Sequence, residues 1–171
     1  MQLRPHQEKA IKAMSKHNKG QVIVPTGGGK TICMIQDAIE QFKSDRLKTV
    51  VVVAPRILLA NQLCEEFLEF IDDVDVLHVH SGETHHDSTT NSKKIEEWHW
   101  KSRRNQLIFT TYHSLHKIQG ATAMLPDTVY FDEAHNAVQK NFIEAVEHHS
   151  MYVVRNYFFT ATPKHSLTPF K

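Results

Sequence analysis

The chain has 171 residues, 40% hydrophobic and 23% charged, with a formal net charge of +1. This is the composition of an ordinary soluble domain, long enough to bury a core without disulfides or a structural metal, and it excludes a globally basic nucleic-acid binder; such a partner has to meet a local patch. The only cysteines, Cys33 and Cys64, fall far apart in helical patterns and read as free thiols of a reducing compartment. No signal peptide and no apolar run near about 18 residues is present, so the expectation is a cytoplasmic protein that does not enter a membrane.

From Arg4 to about His17, Ala10, Ile11 and Met14 share a helical face, and Gly20 is placed to end that helix. Gln21 to Val24 reads as a buried strand. A phosphate-binding stretch follows: Pro25, Thr26, Gly27, Gly28, Gly29, Lys30 and Thr31. Consecutive glycines let the backbone turn tightly and present its N–H groups to an anion, and the helix that opens at Thr31 adds unpaired donors and a partial positive charge. Lys30 can then reach the β- and γ-phosphates of ATP, and the Thr31 hydroxyl can hold Mg2+. Val24 stands where the usual pattern has glycine or alanine.

After this loop, Ile32, Ile35, Ala38, Ile39 and Phe42 recur at helical spacing. Thr49 to Ala54 is a continuous β-rich run, a strand buried on both faces. Leu59, Leu63, Phe67 and Phe70 mark another helix. Val74 to His80, Leu107 to Thr111, Thr128 to Asp132 and Val153 to Thr160 supply further strands, and Ser81 to Ser92 reads as loop. Strands alternating with helices imply an α/β domain, a mainly parallel sheet with helices on both faces.

The strand at Thr128 runs into Asp132-Glu133-Ala134-His135. Ligands gather at the carboxyl ends of strands in such sheets, where these acids emerge. Asp132 suits the acid that anchors Mg2+, and Glu133 the base that activates the attacking water. Either carboxylate alone would be read as a helix-start residue favoured by the dipole; the pair beyond a phosphate loop favours a site.

Together, the Pro25–Thr31 segment and the Asp-Glu-Ala-His run resemble the superfamily-two helicases and translocases of the DEAH-box type, close to DNA helicases and restriction-enzyme motor subunits. Leu3-Arg4-Pro5-His6-Gln7 looks like the family's adenine-sensing segment, which assigns Arg4 and Gln7 to the nucleotide. Ala54-Pro55-Arg56 and Thr110-Thr111-Tyr112 look like segments that grip a nucleic-acid backbone, with Gly82 matching a glycine of close approach. Phe159-Thr160-Ala161-Thr162-Pro163 looks like the motif that couples hydrolysis to movement; Thr160, Thr162 and His135 would be its members.

The resemblance implies a RecA-like P-loop NTPase fold, the coupling strand lying between the phosphate-loop strand and the Asp-Glu strand. It makes residues 1–171 one ATP-binding lobe, with a second RecA-like lobe outside the chain, in cis or in trans. It implies an ATP hydrolase of low activity alone, acting on nucleic acid, DNA rather than RNA. A duplex translocase that never separates strands and a nucleotide-dependent binding module are the alternatives.

Plainer readings stand beside the rest. Lys93 to Arg104 with Trp98 and Trp100 is basic enough for base stacking, yet reads as a solvated helix packed by one tryptophan. His78, His80, His85 and His86 could be drawn as a zinc site, but no cysteine is near them in sequence and ligand spacing is absent. Ser114 and His116 form no nucleophile elbow.

Overall fold

The structure, a computed structural model, describes residues 2–24 and 29–161. Pro25, Thr26, Gly27, Gly28, Thr162 and Pro163 lie outside the described residues. Helix α1 (Pro5–Lys16) leads to strand β1 (Lys19–Ile23), helix α2 (Lys30–Phe42) and strand β2 (Thr49–Ala54). Helix α3 (Ile57–Phe70) precedes β3 (Val74–Val79) and the short β4 (Asp87–Ser88). Then come α4 (Ser92–Lys101), β5 (Asn105–Thr111), α5 (Leu115–Gly120) and β6 (Thr128–Phe131). A 3-10 turn (Ala134–Val138), α6 (Ile143–Tyr152) and β7 (Arg155–Thr160) complete the described chain.

Among the described residues the strands form one seven-stranded sheet in the order β1-β7-β6-β2-β5-β3-β4, and every pairing is parallel. β7 therefore lies between β1 and β6, as the family resemblance implies. Parallel strands need covered faces, and the alternation of side chains divides the core in two. Val50, Val52, Ala54, Leu107, Phe109, Tyr130, Tyr157 and Phe159 pack under α1, α2 and α3 through residues such as Met14, Met34, Ile35, Leu63 and Phe67. Val51, Val53, Ile108, Val129, Phe131 and Phe158 face the other way, toward Ile95 of α4, Leu115 and Ile118 of α5 and Val146 of α6.

The amino edge of the sheet is tied by a polar network. The Arg155 guanidinium pairs with Asp37 at 2.9 and 2.8 Å and donates to the Met14 carbonyl at 3.2 Å. Tyr130 OH also donates to Asp37, and Gln41 Nε2 donates to Tyr130 OH at 3.1 Å. One arginine thus joins β7, α2 and the end of α1.

Three local expectations change. Gly20 lies inside β1, and α1 ends earlier, with the His17 N–H donating to the Ala13 carbonyl. The Ser81–Ser92 stretch contains β4, which pairs with Leu77 and His78; a two-residue polar strand carries no alternation to read. Val153 closes α6 rather than opening β7. In α4, Ile95 is buried, Trp98 packs on the second core and Trp100 is exposed, the packing expected of a solvated helix. Among the described residues no helix is long and apolar enough to cross a membrane.

Candidate nucleotide site

Because all strands run parallel, their carboxyl ends share one edge, and the ends of β1, β7 and β6 are neighbours there. Gly29 precedes α2 with φ 75°, the left-handed region that suits glycine. Its carbonyl accepts from Gln7 Nε2 at 3.3 Å, while Gln7 Oε1 accepts the Arg4 N–H at 2.9 Å. A Cβ at Gly29 would collide with Gln7 Nε2. The Arg4–Gln7 segment is thereby docked on Gly29, the residue that precedes α2.

Strand β6 delivers the acids. The Asp132 N–H donates to the Val53 carbonyl at 2.8 Å, and the Asp132 carbonyl accepts the buried Tyr112 hydroxyl at 2.7 Å. Glu133 then takes φ 49°, left-handed and costly for a residue with a Cβ, on the order of 1–3 kcal/mol. Its carbonyl accepts from Asn136 Nδ2 at 2.9 Å, which steadies the turn. This backbone reversal sends both carboxylates to one cation: Lys30 Nζ lies 3.2 Å from Asp132 Oδ1 and donates a hydrogen bond to Glu133 Oε1.

Lys30 and Glu133 are 103 residues apart in sequence. Burial alone would lower the Lys30 pKa, but the charges of Asp132 and Glu133 outweigh it, and the ammonium is held more firmly than usual. For Asp132, burial is the largest influence, followed by the opposing attraction of Lys30; with the Glu133 charge added, its pKa is raised. Asp132 Oδ1, 3.2 Å from the ammonium, lacks a hydrogen-bond partner among the described residues. A buried carboxylate oxygen left in this state suits a hard cation. Thr31, half-buried, follows Lys30 in the first turn of α2.

Thr160 ends β7, and its carbonyl accepts the Val24 N–H at 3.1 Å. Phe131 pairs with Phe158, so Thr160 stands two residues further along β7, which contacts the 3-10 turn that follows Glu133. His135 is exposed, with Nδ1 3.8 Å from Glu133 Oε2. Thr160, Glu133 and His135 are thus gathered at one end of the sheet.

The residues assigned to nucleic acid are divided by the structure. Arg56 is exposed and caps the start of α3 directly after half-buried Pro55. Gly82 approaches closely, but to this chain: a Cβ there would collide with Ile57. Thr110 is fully buried and its hydroxyl donates to the Val79 carbonyl at 2.8 Å, so the expected phosphate contact from that hydroxyl is corrected to a tie between strands. Thr111 Oγ1 accepts the Ser114 N–H at 3.2 Å, a capping role. Tyr112, which the sequence marks only as a member of its motif, is the residue that fixes Asp132; the contact depends on how β5 and β6 flank β2.

No match is found among curated protein sequences. Among solved structures, the chain is similar to a nuclease-deletion mutant of the Type ISP restriction-modification enzyme LlaGI in complex with a DNA substrate mimic (TM-score 0.81, 23% identity, covering 96% of this chain and 18% of that one). It is also similar to the ATP-dependent Type ISP restriction-modification enzyme LlaBIII bound to DNA (TM-score 0.72, 23% identity, 94% and 13%). The Hef helicase domain of Pyrococcus furiosus is a third (TM-score 0.69, 20% identity, 96% and 33%). The chain therefore spans a third or less of each of these proteins, and the likeness establishes a RecA-like α/β fold. Over residues 1–165 the sequence matches the family described as ResIII, Type III restriction enzyme, res subunit, and the chain belongs to that family.

Proposed function

We propose that this chain is the ATP-binding lobe of a nucleic-acid motor that couples Mg2+-dependent ATP hydrolysis to movement along, or unwinding of, DNA. The observation that carries the reading is the convergence of Lys30 on Asp132 and Glu133 at the carboxyl edge of a parallel sheet. Bound Mg·ATP would supply a polarised, charge-neutralised γ-phosphate. With it bound, Lys30 would pair with the phosphate oxygens instead of the carboxylates, Asp132 and Thr31 would hold the cation, and Glu133 would accept the proton of an attacking water. Gln7 and Arg4 stand where the base is read, with Gly29 and the preceding Pro25, Thr26, Gly27 and Gly28 for the phosphates. Thr160, His135 and Thr162 link the site to the moving strand.

DNA would lie along the same edge, held by its backbone at Arg56 and the first turn of α3, with Pro55 and Gly82 shaping the surface rather than reading bases and the buried Thr110 and Thr111 supporting it from beneath. Binding of this kind is insensitive to sequence and falls with salt. A second RecA-like lobe, in cis or in trans, would close the site and supply an arginine, a contribution of roughly 10³–10⁵ in rate in related hydrolases. The chain alone is therefore a slow ATPase. Its family and the restriction-enzyme likenesses favour translocation on duplex DNA as the second reading.

The test is nucleotide binding and ATP turnover with single-stranded and duplex DNA. Lys30→Ala should weaken binding, whereas Glu133→Gln should keep binding and suppress hydrolysis. Stimulation by single strands supports a helicase and stimulation by duplex a translocase. Equal loss of binding in both variants would refute the roles assigned here.

A further inference from the structure

At the opposite edge of the sheet from β1, the fold does what the sequence alone did not foretell: it brings a cysteine to the histidines. Cys64 of α3, His78 of β3 and His86, just before β4, offer ligand atoms that all lie within 4.8 Å of one another. Cys64 and His78 are buried and His86 is exposed. The His86 ring stacks on that of His78, with centroids 5.6 Å apart and an interplanar angle of 16°. His78 is 1% exposed, and its Nε2 has no hydrogen-bond partner among the described residues. A cavity of ≈ 930 Å³ opens onto all three side chains and onto Glu65 and His85.

We propose that Cys64, His78 and His86 form a binding site for a thiophilic divalent cation of the zinc class, with water or Glu65 in the fourth position. One thiolate and two imidazoles are the donor set that suits Zn2+ or Co2+ and disfavours Mg2+ and Ca2+. The unpartnered His78 Nε2 is the ring nitrogen left to face a cation. Coordination replaces the Cys64 S–H bond with an S–metal bond and releases that proton to solvent.

The outer partners are also present. His78 Nδ1 lies 3.1 Å from His80 Nε2, which is 3.1 Å from Asn61 Oδ1, the kind of chain that orients a ligating imidazole. When Nε2 of His78 ligates, its proton sits on Nδ1 and is donated to His80 Nε2. His80 then carries its own proton on Nδ1, so the Gly82 N–H that now donates there at 3.1 Å must turn away, and the Asn61 amide must rotate to present its NH2 rather than Oδ1 to His80 Nε2. Occupancy therefore clamps α3, β3 and β4 together while freeing the Gly82 amide. The site shares no residue with Lys30, Asp132 or Glu133, so it stands independently of the nucleotide reading.

The test uses the full chain stripped by a chelator and titrated with Co2+, then with Zn2+ as competitor. We expect one equivalent of Co2+ with a thiolate-to-cobalt band in the near ultraviolet and tetrahedral visible bands, both removed by Zn2+. His86→Ala, at an exposed position that leaves folding intact by circular dichroism, should weaken binding by more than ~100-fold, beyond the roughly 10–100-fold of a lost outer partner. Cys64→Ser should erase the thiolate band and Cys33→Ser should keep it. A wild-type titration without that band overturns the proposal, as does a band that survives Cys64→Ser, which would put the cation on Cys33, or an affinity undiminished in His86→Ala, which would put it on others of the 13 histidines.

Discussion

Arg155→Ala should be among the most destabilising single changes in this lobe. Its guanidinium forms two bonds to Asp37, at 2.9 and 2.8 Å, and the Asp37 side chain is 5% exposed. Removing the cation leaves a buried carboxylate whose only remaining side-chain donors among the described residues are Tyr130 OH and Gln41 Nε2. Breaking a buried pair in this way costs about 3–5 kcal/mol, out of the ~5–15 kcal/mol that holds a domain together. For a chain of this size each kcal/mol moves Tm by ~2–4 °C, so a fall of about 6–20 °C is expected. Urea unfolding followed by circular dichroism measures the free energy directly. Arg155→Met combined with Asp37→Leu should recover at least half of the loss, because no charge is then stranded and Gln41 still bonds Tyr130 OH. A cost below about 1 kcal/mol for Arg155→Ala, or a double variant as unstable as the sum of its singles, would refute the argument.

Other perturbations probe the site and the second core. Gly29→Ala places a Cβ against Gln7 in a left-handed backbone; equilibrium nucleotide titration should show at least a ~10-fold loss of affinity, and wild-type affinity would mean that this geometry is not used. Tyr112→Phe removes the hydroxyl that holds the Asp132 carbonyl; ATP turnover should fall several-fold, on the order of the ~1 kcal/mol of one hydrogen bond, with binding little changed. His149 is buried beside Ala145, and burial lowers its pKa to about 4, with the nearby His148 charge adding to the effect. The unfolded chain binds that proton more readily, so the stability present above pH 6.5 is lost as pH falls from about 6.5 toward 4. His149→Leu should flatten that part of the curve in urea titrations at successive pH values, and an unchanged slope would assign it to other groups.

Much of the fold could be read along the chain because its strands are buried on both faces. Thr49 to Ala54 is continuous apolar and β-branched sequence for that reason, and all six of its residues are buried. The weaker elements have local patterns too short or too polar to declare themselves: β4 has two residues, both exposed, and α5 has six. At the candidate nucleotide site, residue chemistry already pointed to Lys30, Asp132 and Glu133 as one set, and the strand order is what brings them into one ion-paired cluster. Thr110 shows the opposite case, since a hydroxyl at a strand end looks available until its neighbour strand takes it.

By itself, the sequence determined the alternation of strands and helices, the glycine-lysine-threonine loop and the acidic pair, because each is a local matter of periodicity or of chemistry at fixed spacing. Only the tertiary structure decided that Tyr112 secures Asp132, that Glu133 turns through a left-handed backbone, and that Cys64 meets His78 and His86. Those contacts arise from which strands lie side by side and in what register. That choice is made by packing two apolar cores against one sheet, a property of the whole chain that no short segment carries.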